Sequence, residues 1–318
     1  MKVVALETMS MGDDIDFSRF EKFGEFVKYD LTKPEQIRAR AGDAEVIIVN
    51  KLKMNESTMS GLDKLKLILI TATGFDNIDV EYCKSRGIQV RNAKGYSTVS
   101  VVQHTFASLF YIFEKLNYYD AYVKNGEYVN SPTFDHLGRT FYELDGKTWG
   151  IVGLGNIGRG VAAIAQSFGC RVIYYSTSGK NNNDEYERVD FDTLLEQSDV
   201  ISIHAPLNAV TRNMFCADAF KKMKNTAYLV NVGRGPIVND ADLIVALNNN
   251  EIAGAALDVL VNEPITADSP LLSCKDSDKL FITPHIAWGS VESRNRLIDI
   301  MKENLESYIA GGDFNRIV

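Results

Sequence analysis

Along the first hundred residues short apolar runs alternate with amphipathic stretches. VVALE, FVKYD, AEVIIVN, LKLILITA and IQVRN are each bounded by polar or turn-forming residues, and KPEQIRARAG and IDVEYCKSRG between them carry helical spacing. Continuous apolar runs of this length suit strands buried on both faces of a parallel sheet, so the pattern predicts an α/β unit of about five strands. A second alternation follows, with TWGIVGLG, RVIYYS, VISIHA, AYLVNVG, AGAALDVL and KLFITPH as its strands. Between the two lies SVVQHTFASLFYIFEKL, whose apolar positions recur as on one long helix linking two bodies. The last segment, SVESRNRLIDIMKENLESYIAGG, is again helical and stops at Gly311 and Gly312. It has no strands of its own to cover, so it is expected to return to the first domain. The predicted organisation is a discontinuous domain of residues 1–97 and 288–318 with a second domain, 98–287, inserted in it.

Composition narrows the classes. A chain of 318 residues that is 45% hydrophobic can bury two ordinary cores. Its formal net charge of -8 argues against a general affinity for nucleic acid or an anionic membrane, since both reward clustered Lys and Arg. Cys83, Cys170, Cys216 and Cys274 are scattered without a CxxC pair, and the opening MKVVALET reads as a strand rather than a signal peptide. A reduced, cytoplasmic setting is the expectation. No apolar run is long enough to span a membrane, and the four histidines show no metal-ligand spacing, so no metal is expected. From Asn117 to Leu144 clean periodicity fails, yet the stretch holds Tyr118, Tyr119, Tyr122, Tyr128, Phe134, Phe141 and Tyr142. These rings either pack on their own domain or form the arm of a homodimer, because Tyr and Phe concentrate at interface cores.

The strongest chemical signal is GLGNIG, Gly153 to Gly158, set between the strand-like TWGIV and the helix-like GVAAIAQSFG. In that order the first glycine turns the chain, Gly155 admits a pyrophosphate and Gly158 lets helix meet strand, with Asn156 and Ile157 opening the helix on which the phosphate sits. The pattern is a dinucleotide-binding one. Eighteen positions past Gly158, where an acid would grip the ribose of NAD, stands Ser176, followed by Thr177, Ser178 and Lys180. A carboxylate there would repel the 2′-phosphate of NADP, whereas hydroxyls and an ammonium do not. NAD and NADP both stay open, with NADP slightly favoured.

Three later segments place a polar group just past a predicted strand: NVGRGPIV with Arg234, LDVLVNEPI with Asp258 and Glu263, and FITPHIAWGS with His285 and Trp288. In doubly wound sheets ligands bind beyond the carboxyl ends of strands, so Arg234, Glu263 and His285 can converge beside a nicotinamide. An arginine fork for a carboxylate, a histidine for a proton and a glutamate to orient it would complete a 2-oxo acid reductase.

Taken in order, GLGNIG, HAPLNAVT, NVGRGPIV, ALDVLVNEP and TPHIAW resemble the D-isomer-specific 2-hydroxyacid dehydrogenases over essentially the whole chain. GYSTVSVVQHTFA and ITPHIAWGSVESRNRLIDI are most similar to the glycerate dehydrogenases, or hydroxypyruvate reductases, within that family. The resemblance implies two doubly wound parallel-sheet α/β domains, a flavodoxin-like substrate domain and an inserted Rossmann dinucleotide domain. It implies Arg234, Glu263 and His285 as the catalytic trio, and Ser100, His204, Pro206, Thr211, Val232, Gly233 and Asp258 as lining the cofactor. Thr73 and Gly74 would offer backbone donors to the substrate carboxylate. Lys51 either meets the substrate or is a surface charge, and Trp288 is packing or pocket wall. His104, in an apolar helix, reads as a hydrogen-bonded core residue at the domain junction, and His136 as a loop histidine. The implied activity is hydride transfer between NAD(P)H and a short 2-oxo acid, hydroxypyruvate or glyoxylate, in a cleft between the domains. The alternatives are a dehydrogenase for another side chain, or a dinucleotide-sensing interaction protein similar to the transcriptional corepressors that keep the same trio.

Overall fold

Five parallel strands, β1 (Lys2–Ala5), β2 (Glu25–Lys28), β3 (Val46–Val49), β4 (Leu67–Ile70) and β5 (Gln89–Arg91), make the first sheet of the computed structural model, which describes residues 1–318. All five arise from the apolar runs picked out above. Their order is β2-β1-β3-β4-β5, the flavodoxin-like arrangement, in which the direction of winding switches between β1 and β3. Every residue of β3 and β4 is buried, as a sheet covered on both faces requires. The unit that holds this sheet comprises Met1–Ser97 and Gly289–Val318.

The return of the chain is built into that unit. The helix Val291–Ile309 buries Leu297, Ile298, Met301 and Leu305, then ends ahead of Gly311, whose φ of 75° a glycine adopts without strain. Beyond it Ile317 donates to the carbonyl of Val90 at 2.8 Å, extending the sheet past β5. The fully buried guanidinium of Arg91 donates to the carbonyls of Asn304 at 3.1 Å, Phe314 at 3.3 Å and Gly312. A charge this deep needs such partners, and these carbonyls with the Gln89 side-chain oxygen at 3.0 Å supply them to the two terminal nitrogens, while Nε has none.

The second unit, Thr98–Trp288, carries seven parallel strands: β6 (Thr148–Val152), β7 (Arg171–Tyr175), β8 (Glu187–Arg188), β9 (Val200–Ile203), β10 (Tyr228–Asn231), β11 (Gly254–Leu257) and β12 (Leu280–Ile282). Their order, β12-β11-β10-β9-β6-β7-β8, is that of a Rossmann sheet. β8 was not among the expected strands. It consists of two exposed residues and therefore leaves no apolar run to read.

The predicted long helix spans Thr98–Phe113 and buries Val102, Phe106, Leu109, Ile112 and Phe113 against this core. It stops short of Leu116 because Lys115 adopts a left-handed conformation, φ 58°. A further helix, Leu116–Lys124, and a 3-10 turn, Glu127–Asn130, then occupy part of the stretch read above as aperiodic. Neither has a buried residue, so no apolar stripe announced them.

The carboxyl ends of six of the seven strands lead into the residues that matter. Gly153 follows β6, Ser176 β7, His204 β9, Arg234 β10, Asp258 β11 and His285 β12. No helix of the protein is long and apolar enough to cross a membrane.

Candidate active site

Arg234 lies on the turn after β10, shaped from within by the buried Asn231. The Asn231 side-chain oxygen accepts from Gly233 N–H at 3.1 Å, and its amide donates to the carbonyl of Arg234 at 3.0 Å. The next residue must be Gly235, since a Cβ there would overlap the main chain of Leu260 and Val261. That close approach lays the arginine turn against the loop carrying Glu263. The Arg234 guanidinium is half-buried, donates to the carbonyl of Gly233 at 2.8 Å and has no carboxylate partner. Its remaining N–H groups are available to an anion.

Asp258, at the end of β11, ties down the histidine turn. Its Oδ1 accepts from the Thr283 hydroxyl at 2.6 Å and Ile286 N–H at 2.8 Å, and its Oδ2 accepts from Ala287 N–H at 2.9 Å. His104 stands 3.4 Å from Oδ1 and 3.0 Å from the Thr283 hydroxyl. Burial alone would push the Asp258 carboxyl up, yet the donors from His104, Thr283, Ala287 and Ile286 outweigh it and hold the group below the usual carboxylate range. The clamp straddles His285, which is held at φ 56°, a conformation few side chains other than glycine adopt. Its N–H donates to the carbonyls of Asp258 at 2.8 Å and Thr283 at 3.0 Å. In that pose Nδ1 of His285 meets Oε2 of Glu263 at 2.8 Å, while Oε1 of Glu263 accepts from Leu260 N–H at 2.9 Å. Nδ1 is thereby engaged, and Nε2 is the nitrogen left for a substrate.

Around the glycine turn the residues fit a dinucleotide. A Cβ at Gly158 would run into the carbonyl of Gly153, and one at Gly155 would stand in open space where a ligand can approach. The helix Asn156–Ser167 starts here, and its first internal bond is from Arg159 N–H to the carbonyl of Gly155, leaving earlier amides for phosphate. Gly233 has room for little else, since a Cβ would come within 3.2 Å of the carbonyls of Ala205 and Ile203. The clearest sign is His204. Trp149 Nε1 donates to the Ser202 hydroxyl at 2.9 Å, and that hydroxyl lies 2.9 Å from His204 Nε2. The indole donates to the hydroxyl, and Nε2 of His204 is thereby engaged. Nδ1 is buried without a partner, and burial pushes the pKa down to about 3, so the ring is neutral and carries an unsatisfied polar nitrogen. A bound dinucleotide, which carries both hydroxyl donors and oxygen acceptors, can supply its partner.

The other expected residues stand on the neighbouring turns and on the helix Thr98–Phe113. The Ser100 hydroxyl donates to the carbonyl of Ala287 at 2.6 Å and so supports the histidine turn. That of Thr211 donates to Pro206 at 2.8 Å and accepts from Asn208 N–H, bracing the turn after β9. Val232 and Trp288 are half-buried. Ser176 is 5% exposed, and its hydroxyl accepts from Asn181 N–H at 3.3 Å. Thr177 is half-buried and Lys180 exposed on the same turn. The stretch around Ser176 lacks an arginine in sequence, but the fold brings one. Arg188 of β8 pairs beside Tyr174 and donates to the Asn182 side-chain oxygen at 2.7 Å. Arg159 donates to the Asn156 side chain at 2.6 Å at the other side of the turn. Side-chain direction in a strand could have flagged Arg188 only once β8 was known.

In the first unit, Lys51 follows β3 and is exposed, and Thr73 and Gly74 follow β4. The Thr73 hydroxyl donates to the carbonyl of Ala93 at 2.7 Å, and Asn92 donates to the carbonyl of Thr73 at 2.6 Å. These bonds hold the turn while the amides of Thr73 and Gly74 stay unspent.

Residues 106–287 match the family model of the D-isomer specific 2-hydroxyacid dehydrogenase NAD binding domain, more than half of the chain. The chain belongs to that family. It is an oxidoreductase of the D-2-hydroxyacid dehydrogenases that uses a nicotinamide cofactor. It is 37% identical to a hydroxypyruvate reductase of Blautia hydrogenotrophica, with 99% of each chain covered. It is 35% identical to a glycerate dehydrogenase of Methylorubrum extorquens, covering 98% of this chain and 96% of that one. Among solved structures, an acyclic imino acid reductase in complex with NADPH and D-Arg superposes over the full length of both chains with a TM-score of 0.88 at 29% identity.

Proposed function

We propose that this dehydrogenase reduces hydroxypyruvate to D-glycerate, or glyoxylate to glycolate, with Arg234, Glu263 and His285 as its catalytic residues and NADPH as the preferred cofactor. The observation that carries the reading is the 2.8 Å contact between His285 and Glu263 beside an arginine that no carboxylate of the chain neutralises. Arg234 holds the substrate carboxylate through its planar fork and polarises the keto oxygen. When bound, the nicotinamide supplies the hydride that reduces C2. His285 gives the proton on Nε2 to the oxygen that C2 carries, and Glu263 stabilises the imidazolium before that transfer. The unspent amides of Thr73 and Gly74 and the ammonium of Lys51 are assigned to the substrate carboxylate. The orphaned Nδ1 of His204 and the glycine turn are assigned to the cofactor, and Trp288 to the substrate pocket.

Replacing His285 with Gln is expected to lower turnover of hydroxypyruvate by about 10²- to 10⁴-fold while the Kd for NADPH changes little, since proton transfer is lost and the cofactor is held elsewhere. A His285→Gln enzyme as active as wild type would refute the assignment.

The preference for NADPH is supported by the turn after β7, where Ser176, Thr177 and Lys180 stand without a carboxylate and Arg188 adds a guanidinium. Ser176→Asp should move kcat/KM toward NADH, because a new carboxylate can accept from the ribose hydroxyls and repels a 2′-phosphate. Arg188→Ala should weaken NADPH more than NADH. Wild type that strongly prefers NADH, with no response at either position, would contradict this part of the reading.

A homodimer is the proposed assembly. The aromatic stretch packs partly on itself, with His136 stacked 3.7 Å from Tyr122 and bonded to Tyr118 at 2.8 Å, but it leaves Val129 84%, Phe134 89% and Leu137 79% exposed. Apolar side chains this bare and this close together favour a second copy as their cover. Light scattering should give a dimeric mass for wild type and a monomeric one for Phe134→Asp with Leu137→Asp; a wild-type monomer would count against it.

A further inference from the structure

Glu7, just past β1, is the one acidic side chain that reaches across the switch point of the first sheet. Its Oε2 accepts three successive main-chain N–H groups from the loop after β3: Asn50 at 2.8 Å, Lys51 at 2.9 Å and Leu52 at 3.0 Å. Successive amides converging in this way make a nest for an anion. The outer face of the same loop is fastened by Asn77, whose side-chain amide donates to the carbonyls of Asn50 at 3.1 Å and Leu52 at 2.8 Å. Asn50 in turn donates to the Ser10 hydroxyl at 3.1 Å. The loop is held from both sides by side chains of its own unit.

This arrangement stands where an open parallel sheet receives ligands, beyond the carboxyl ends of the strands at which the winding reverses. In this chain the inner anion place is taken by Glu7 itself. The carboxylate forms no ion pair with Lys51. The ammonium of Lys51 is exposed and has no partner within the chain.

We propose that Glu7 is a positioning residue for substrate binding: it fills the nest between β1 and β3, shuts the substrate carboxylate out of it, and fixes the loop that presents Lys51 to that carboxylate. The proposal rests on the reading that Lys51 receives the carboxylate of a 2-oxo acid. Loss of the charge at Glu7 leaves three inward N–H groups with a weaker acceptor, and the loop that carries Lys51 loosens.

The test compares Glu7→Gln, Lys51→Ala and the double variant, measuring kcat and KM for hydroxypyruvate at saturating NADPH and the Kd for NADPH by fluorescence titration. Glu7→Gln should raise KM by about tenfold with kcat within about twofold and an unchanged NADPH Kd, the signature of lost ground-state binding. In the Lys51→Ala background the same change should add less than about twofold, since two residues acting through one contact are not additive. An equal rise in KM in both backgrounds, or none in either, overturns the proposal. Glu7→Asp, which keeps the charge but shortens its reach, takes the place of the Gln variant should that fail to fold, with the same comparison. An active wild type whose KM is indifferent to Lys51→Ala overturns the role of Glu7 and leaves the reductase reading standing. A wild type that turns over no 2-oxo acid overturns both.

Discussion

The site depends on the carboxylate of Asp258. It is 2% exposed, and a charge so placed is costly unless donors surround it. Here the donors are the Thr283 hydroxyl and the amides of Ile286 and Ala287, all from the segment that turns at His285. The energy that satisfies the buried charge is the same energy that holds His285 in its left-handed conformation and delivers Nδ1 to Glu263. An Asp at this position is therefore part of the scaffold of His285, the proposed proton donor, whatever else it meets. His104 adds to the same group from the helix Thr98–Phe113, and Ser100 on that helix fastens Ala287. One helix and one carboxylate thus set the geometry of the turn.

Close main-chain approach does for Arg234 what the carboxylate does for His285. Gly235 permits the arginine turn to lie against Leu260, and Leu260 N–H also holds Glu263. The two loops are stitched through a shared residue, so the arginine and the glutamate are placed by one contact region rather than by two independent ones. Rigid placement of this kind is what lets a binding group and a proton donor act together on one small substrate.

Much of this was legible in sequence for a simple reason. In a parallel sheet each strand is a short apolar run, and the residues just past it are the ones that face a ligand, so Arg234 could be found directly after AYLVNVG, and Asp258 and His285 where the apolar runs inside AGAALDVL and KLFITPH end. The glycines of the turn were legible because their spacing is dictated by backbone contact. What the pattern could not carry was any role that depends on residues distant in the chain. The scaffolding role of Asp258 leaves no local pattern, because its partners lie 25 to 29 positions away. Glu7 looks like the end of a strand in sequence, since the amides that donate to it come 43 to 45 positions later. Arg188 was hidden in a strand of two exposed residues, and the helix Leu116–Lys124 in a segment that buries none of its side chains.

The central claim is that this chain carries a hydride to C2 of a short 2-oxo acid and a proton from His285 to its oxygen. Incubating the protein with hydroxypyruvate and NADPH deuterated at the transferable position of C4, and analysing the product by mass and chirality, tests it most directly. The account predicts D-glycerate with one deuterium bonded to C2. Formation of the L-isomer, product without deuterium at C2, or no product at all would contradict it.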